Sequence, residues 1–360
     1  MRNLKHIIAC SKTGGAIVAA TMLLTGLLSS CSMMHDDQSD CRQELRVDFR
    51  YDMNMKFADA FSSQVSRVTL YAYSTADGSL VYQKTESADD IKAHGGYMVL
   101  DGLRSGKYNI MVWAEGASRH DNSYTYGEPS STASDISVLT SRVNRAAGER
   151  ELNHDLTPLY HGLLADADLT IDGYGVKTVT VPLTKDTNVI RVVLQNASGK
   201  RLNADDFSFF IDDDNTFLAY DNSPLRDDSV TYRPWSKYDG IAGASAGNNA
   251  NAAPATRADD GLDTPVSAVV AELTVDRLFV GKHPRLRVRN NLNGKTVFSI
   301  PLIDYALLVK GNYNRQMSDQ EYLDRQDEYN FVFFIDDNHN WLSASVLINS
   351  WRVVLHDTDL

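Results

Sequence analysis

Cys31 follows Leu28, Ser29 and Ser30, so a branched apolar residue and two small ones precede a thiol, the order a bacterial lipoprotein signal needs for cleavage between Ser30 and Cys31 and acylation of the cysteine. Other arrangements that could do chemistry are weaker. Gly243-Ala244-Ser245-Ala246-Gly247 has nucleophile-elbow spacing, but an elbow needs a buried strand before the serine and a helix after it. Its flanks are Ala, Gly and Asn, so the match reads as low-complexity coincidence. Asp212-x-Asp214 and Asp336-x-Asn338-x-Asn340 have calcium-loop spacing, yet neither continues to glycine at the sixth position and glutamate at the twelfth. The nine histidines form no H-E-x-x-H and no close pair for zinc. Cys41 has no sequence-local partner for nucleophilic work. Phosphate-loop and dinucleotide fingerprints are missing, and a carboxylate acid/base pair is defined by a spatial separation that sequence does not supply. The expectation is a non-enzymatic chain with no cofactor and no metal, in which Cys31 alone carries an assigned chemistry, as the lipid attachment site.

The segment before Cys31 is built to deliver it. Basic Arg2, Lys5 and Lys12 precede an apolar stretch from Ala16 to Leu28 and then small residues, the three parts of a secretory signal. Only 18 residues separate Lys12 from Cys31, and several are Gly, Ser or Thr, whereas a membrane span needs about 20 predominantly apolar residues. Residues 1–30 are therefore expected to be removed, and several acyl chains on Cys31 would hold the remainder stably to a membrane. Residues 31–41 read as a tether carrying Asp36, Asp37 and Asp40, which resembles the surface-export signal of Bacteroidota lipoproteins. The chain carries 35 basic and 47 acidic side chains, a net charge of −12, and removal of three basic residues with the signal would take it to −15. That balance argues against nucleic acid and anionic membrane surfaces as partners. With Cys10 removed and Cys31 acylated, only Cys41 remains, so no internal disulfide is expected and stability must come from buried apolar surface.

Beyond the tether, short alternating or aliphatic runs are separated by Gly, Asp and Asn, as in an all-β protein. Strands are expected at Leu45–Tyr51, Arg67–Tyr73, Leu80–Gln83, Tyr97–Leu100, Tyr108–Ala114, Val176–Leu183, Val189–Gln195, Phe207–Ile211, Ala268–Thr274, Arg285–Arg289, Thr296–Leu302, Phe331–Ile335, Ser345–Ile348 and Trp351–Leu355. Phe209–Leu218 and Phe333–Leu342 echo each other as strand, Asp/Asn turn and aromatic-Leu, and read as two β-hairpins. One short helix is expected over Asp319–Tyr329, capped by Ser318 with Glu321 completing a capping box. A boundary is expected near Pro182–Asn188, where Val181-Pro182-Leu183 closes one strand set and Val189–Leu194 opens another, giving tandem domains 42–185 and 186–360. Gly240–Gly261 reads as a mobile loop of the second, and Ser131–Arg150 as a polar excursion of the first.

Tyr51–Phe61, Val68–Tyr71, Asp77–Val81 and Gly106–Ala114 resemble the amino-terminal half of FimB-like fimbrial anchor proteins of Bacteroidales. Pro301–Tyr305, Gln320–Asn330 and Ile348–Trp351 resemble their carboxy-terminal half, the Gln320–Asn330 run being the specific part. The resemblance implies two transthyretin-like β-sandwich domains, a lipidated cysteine at Cys31, no catalytic residues, and a place at the base of a fimbrium on the outer membrane, anchoring it and limiting its length. The implied partners are membrane lipid through acylated Cys31 and a fimbrial subunit held by β-strand addition, in which main-chain hydrogen bonds give affinity and side-chain pockets give register. Because the first expected strand starts about a dozen residues after the lipid, cleavage at Arg42, Arg46 or Arg50 would free the protein, so an anchor must keep that strand. Residues Leu355–Leu360 follow the last expected strand almost directly, leaving no long donor tail. A shaft or accessory subunit is the near alternative, and a surface glycan-binding lipoprotein using Trp235 or Tyr238 as stacking platforms is the alternative from another class.

Overall fold

Leu45, Val47 and Phe49 alternate with polar residues, and so do Val68, Leu70 and Ala72, so each segment presents one apolar face at the two-residue period of a strand. The computed structural model describes residues 43–242, 266–311 and 316–354. Its first half contains β1 (Gln43–Arg50), β2 (Arg67–Ser74), β3 (Leu80–Ser87), β4 (Tyr97–Val99), β5 (Gly106–Glu115), β6 (Tyr124–Tyr126), β7 (Ser141–Val143), β8 (Glu151–Leu152), β9 (Leu159–Leu169) and β10 (Gly175–Lys185). The second contains β11 (Thr187–Asn196), β12 (Phe207–Asp213), β13 (Phe217–Leu218), β14 (Val230–Tyr232), β15 (Ser236–Ala242), β16 (Val266–Asp276), β17 (Arg285–Asn290), β18 (Thr296–Pro301), β19 (Glu328–Ile335), β20 (Trp341–Ile348) and β21 (Trp351–Val354). Helices are short: α1 (Phe61–Gln64), α2 (Ala88–Ala93), α3 (Leu302–Leu308) and α4 (Asp319–Arg325).

In the first half the strand order is β3-β2-β5-β9-β10-β1-β4. β10 pairs with β9 only through Leu183–Lys185, while Gly175–Pro182 run parallel to β1. By changing partners, β10 folds the strands into two layers around Val47, Phe49, Leu70, Ile110, Val112 and Leu183. In the second half a β15-β16-β11-β19-β20-β21 sheet faces a β18-β17-β12-β14-β8 sheet. Ile190, Val192, Phe331 and Phe333 from one sheet share a core with Phe207, Phe209, Leu286 and Val288 from the other. The chain is thus a tandem of β-sandwiches, as expected.

The two halves are not independent beads. The second faces of β2 and β5 supply Tyr71, Tyr73, Met111 and Trp113 to the same apolar cluster as the C-terminal sandwich. β8 pairs with β14 and β7 pairs with β13, so two short strands from the first half complete sheets of the second. Residues 42–360 accordingly form one unit. The Ser131–Arg150 segment, expected as a polar excursion, is stitched into that unit because Leu139 and Val143 are buried.

Other expectations need correcting. Phe209–Leu218 is not a hairpin: β13 pairs with β7, while β12 pairs with β14 and β17. The reason is Asn215, which is 1% exposed. Its amide donates to Asp276 O at 2.9 Å and Arg277 O at 3.0 Å and accepts from the Tyr232 hydroxyl at 2.7 Å, which carries the chain across the core instead of back along β12. Asp336 does the opposite: its carboxylate accepts from the backbone N–H of Asn338 and Asn340, both at 2.8 Å, and closes a true hairpin between β19 and β20. The helix capped by Ser318 stops at Arg325, because Glu328 onward joins the ladder with β11. Ser318 Oγ accepts from Glu321 N–H at 3.0 Å, but the Glu321 carboxylate accepts from Arg325 and does not complete the box. Gly240–Ala242 belong to β15; the rest of the expected loop lies outside the described residues.

Candidate functional site

The first strand is held on both edges. β1 lies parallel to β10, with Val47 opposite Val179, and antiparallel to β4, with Val47 opposite Met98. Leu45, Val47 and Phe49 point into the core and are at most 4% exposed. Burying three such side chains contributes roughly 1.5–3 kcal/mol each, a large share of a typical domain's net stability. Arg46 pairs with Glu44 and stacks on the Tyr97 ring at 3.9 Å, while Arg50 pairs with Asp52 at 2.7 Å. Arg46 is paired on both edges and Arg50 on the β10 edge alone, and a protease that needs an extended, unpaired chain reaches both readily only if β1 melts.

β1 delivers its end to the junction between the sandwiches, where the amino-terminal and carboxy-terminal signature segments meet. The Tyr51 hydroxyl donates to the Asp327 carboxylate at 2.8 and 3.0 Å, and Lys185 reaches the same carboxylate at 3.6 Å. Burial raises the Asp327 carboxyl, with Lys185 and Tyr51 opposing the shift. The loop after Tyr51 is shaped by the Asn54 amide, which donates to Tyr51 O at 3.0 Å and Ala58 O at 2.8 Å, and by Asp59, which accepts from Tyr51 and Phe61 N–H, each at 3.0 Å. Arg325 of α4 donates to Asp52 O at 2.9 Å and covers the Phe57 ring at 4.4 Å. One turn earlier, Gln320 donates to Leu278 O and accepts from Val280 N–H, both at 2.9 Å. Asp324 takes two 2.8 Å hydrogen bonds from Arg277, the planar bidentate geometry that makes such pairs specific.

Arg277 also donates to Asn222 O at 2.6 Å and lies 3.7 Å from Asp186, which is fully buried and accepts from the Asn222 amide at 2.8 Å. Burial pushes the Asp186 carboxyl up to about 7, with Arg277 and Asn222 pulling the other way. Burial raises Asp276 well above its usual range, with the Asp186 charge adding to the rise. Burial also takes Asp213 up to about 6. Nearby, the His161 Nε2 lies 2.7 Å from Tyr220 O, and burial lowers this imidazole to about 4.

These shifts set the direction of a pH dependence. A carboxyl raised on folding binds its proton more tightly folded than unfolded, so its contribution is fully present below the ordinary Asp range and is lost as pH rises through the folded value, about 7 for Asp186. Asp186→Asn, which keeps the neutral shape, is expected to match the parent in stability near pH 4 and to exceed it near pH 8 by on the order of 1–3 kcal/mol. Thermal melts of both proteins across that range check this; parallel curves would show that Asp186 stays ionised.

Among the sites expected from sequence, Ser30, Cys31, Cys41 and Gly243–Gly247 lie outside the described residues. Asp212 accepts from the Thr231 hydroxyl at 2.7 Å and Asp214 pairs with Lys282 at 2.7 Å. Among the described residues no group of three or more His, Cys, Asp or Glu could hold a metal. Trp235, 38% exposed, enters edge strand β15, where Tyr238 pairs with Val270. Sequence reasoning missed Asp186, Asn222 and Arg277, which are separated in the chain and brought together by the turns after β10, β13 and β16; the one local hint was Asp276-Arg277 closing an aliphatic strand.

The model of the family of fimbrillin-A associated anchor proteins Mfa1 and Mfa2 matches residues 38–357. A comparison with curated proteins finds no match. Among solved structures, a candidate adhesin of Bacteroides thetaiotaomicron is 30% identical, with 87% of this chain and 97% of that chain covered and a TM-score of 0.70. A candidate polysaccharide-binding protein of the same species is 26% identical, with 89% and 100% covered and a TM-score of 0.71. The fimbrial anchor protein Mfa2 from Porphyromonas gingivalis, 16% identical over 88% of this chain and all of that one, has the same fold with a TM-score of 0.60. The two signature segments that clasp each other at the junction both fall inside the matched span, and the chain belongs to the fimbrillin-A associated anchor protein family, Mfa1 and Mfa2.

Proposed function

We propose that this protein is the lipid-anchored base subunit of a fimbrium, held in the outer membrane through acylated Cys31 and exposed at the cell surface, where it attaches the fimbrium and stops its growth. The observation that carries the reading is β1. The strand beginning about a dozen residues after the lipobox is buried on one face and bonded on both edges, so removing it would open a groove and sever the body from its lipid together. A subunit that must stay attached keeps that strand. The two sandwiches divide between Lys185 and Asp186.

The fimbrial neighbour is bound by strand addition at an open edge. β21 is the edge best suited: it pairs with β20 on one side, and its first residue, Trp351, is 63% exposed. The role requires no catalytic step.

Electron microscopy of a strain lacking the protein is the test. Fimbriae should appear in the medium and be longer than those of the parent, because nothing retains or terminates them; Cys31→Ala should also release them, at parental length. Short or missing fimbriae would identify a shaft subunit, and parental fimbriae fixed to cells would reject both roles.

A further inference from the structure

Asp186 is the one residue between β10 and β11, where the chain passes from the first sandwich to the second, and its backbone N–H donates to Leu159 O at 2.8 Å. The side chain is 0% exposed, so bulk water does not reach it. It is also short of donors. The Asn222 amide donates to Oδ1 at 2.8 Å, while Oδ2 is buried with no partner. Arg277 does not fill that gap, because its Nε and Nη2 donate to the two Asp324 oxygens and its Nη1 to Asn222 O. Its Nε lies 3.7 Å from Asp186 Oδ1, beyond hydrogen-bond range. The adjacent Thr187 hydroxyl is itself buried and unpartnered. A buried carboxylate with one hydrogen bond leaves most of its desolvation cost uncompensated, which favours the neutral acid.

A second unpartnered atom belongs to the same pair of side chains. Asn222 Oδ1 is buried with nothing bonded to it, although Nδ2 of that amide bonds Asp186. One proton on Asp186 Oδ2 satisfies both atoms: the acid donates to Asn222 Oδ1 while Asn222 donates to Asp186 Oδ1. Asn222 is braced for this, with φ 64°, its N–H on Ala219 O at 2.9 Å and its carbonyl held by Arg277 at 2.6 Å. The charged and titratable groups acting on Asp186 are Arg277 and Asp276 after β16, Asp324 of α4, Tyr51 at the end of β1 and Tyr124 of β6. Burial outweighs the rest and pushes the carboxyl up to about 7, with Arg277 favouring the ionised form and Asp324 opposing it.

We propose that Asp186 and Asn222 share a proton as an acid–amide pair, and that this proton is a latch on the clasp between the two halves. While it is bound, the neutral acid leaves Arg277 to Asp324 and α4 stays docked. When the proton passes to water, the Asp186 carboxylate competes for Arg277 Nε, which lies 2.8 Å from Asp324 and 3.7 Å from Asp186, and α4 loosens. A proton held more tightly folded than unfolded closes the latch at acid pH, and the latch opens as pH rises through about 7. This device is separate from the anchoring role, and its failure leaves that role untouched.

The test is infrared and NMR titration of the full chain in detergent, joined to hydrogen exchange of Gln320–Asn330 read by mass spectrometry and corrected for the intrinsic pH dependence of exchange. A protonated-carboxyl band should be present at about pH 5 and fade with a midpoint near 7. It should be missing from Asp186→Asn, whose amide makes the same two bonds with no proton to lose. The Asn222 side-chain amide resonance, assigned with Asn222→Gly, should move with the same midpoint in the parent chain. Exchange of Gln320–Asn330 should quicken several-fold as the band fades and stay constant in Asp186→Asn. Absence of a titrating band, its survival in Asp186→Asn, an unmoved Asn222 resonance, or exchange of Gln320–Asn330 indifferent to pH would each overturn the proposal.

Discussion

Replacing Val47 by aspartate is expected to unfold the N-terminal sandwich and expose the first strand to trypsin. Val47 is 0% exposed, opposite Val179 on one side and Met98 on the other. The substitution forfeits roughly 1.5–3 kcal/mol of apolar burial and adds the cost of an unpaired buried charge, several kcal/mol more. Together these approach the 5–15 kcal/mol that a domain has in total. Because β1 carries Arg46 and Arg50 within its ladder, melting it also uncovers both to cleavage. Val176→Asp is the control, since Val176 is 54% exposed on the neighbouring β10 and should be tolerated. Circular-dichroism melts and limited trypsin digestion followed by mass spectrometry give the comparison. A Val47→Asp protein that melts within a few degrees of the parent and keeps the first strand uncut would mean that β1 is dispensable, and the argument for a retained strand would fall with it.

The second large effect belongs to the junction. Asp324→Ala is expected to cost about 3–5 kcal/mol, because it leaves the Arg277 guanidinium, whose side chain is 13% exposed, without its bidentate partner. Arg277→Met with Asp324→Leu should cost much less than the sum of the single changes, since both charges leave together. A double-mutant cycle in denaturant measures the coupling. Near-additive costs would show that the pair is solvated and that Gln320–Asn330 clasps the halves through its other contacts, those of Arg325 with Asp52 and Asp327 with Tyr51. The same cycle run near pH 8 and near pH 5 would report the Asp186 proton, because a neutral Asp186 no longer offers Arg277 a second charge.

Legibility from sequence followed the range of the forces involved. Strands with clean alternation or a long aliphatic run, such as β1, β5 and β11, were visible because a strand's period is written locally. β9 was not, since Leu159–Leu169 interrupts its apolar residues with His161, Gly162, Asp166 and Asp168; it becomes a strand because β5 and β10 bond its two edges. The two Asp/Asn segments read alike and fold differently, because Asn215 finds carbonyls of residues 276 and 277 in the core while Asp336 finds only its own turn. Pro301–Tyr305 carried a family resemblance, yet its structural role as a strand running into α3 follows from burial of Leu302, Ile303 and Tyr305 against the C-terminal core.

By itself the sequence determined the all-β class, the tandem sandwich organisation, the Asp336 turn and the Ser318 cap, all of which rest on periodicity or local hydrogen bonding. Tertiary structure decided which strands share a sheet, how β7 and β8 lace the first half into the second, why Tyr51–Phe61 and Gln320–Asn330 matter together, and where Asp186, Arg277 and Asp324 meet. Those features depend on groups tens to hundreds of residues apart being desolvated in the same place, and desolvation is a property of the packed core, not of any window of chain.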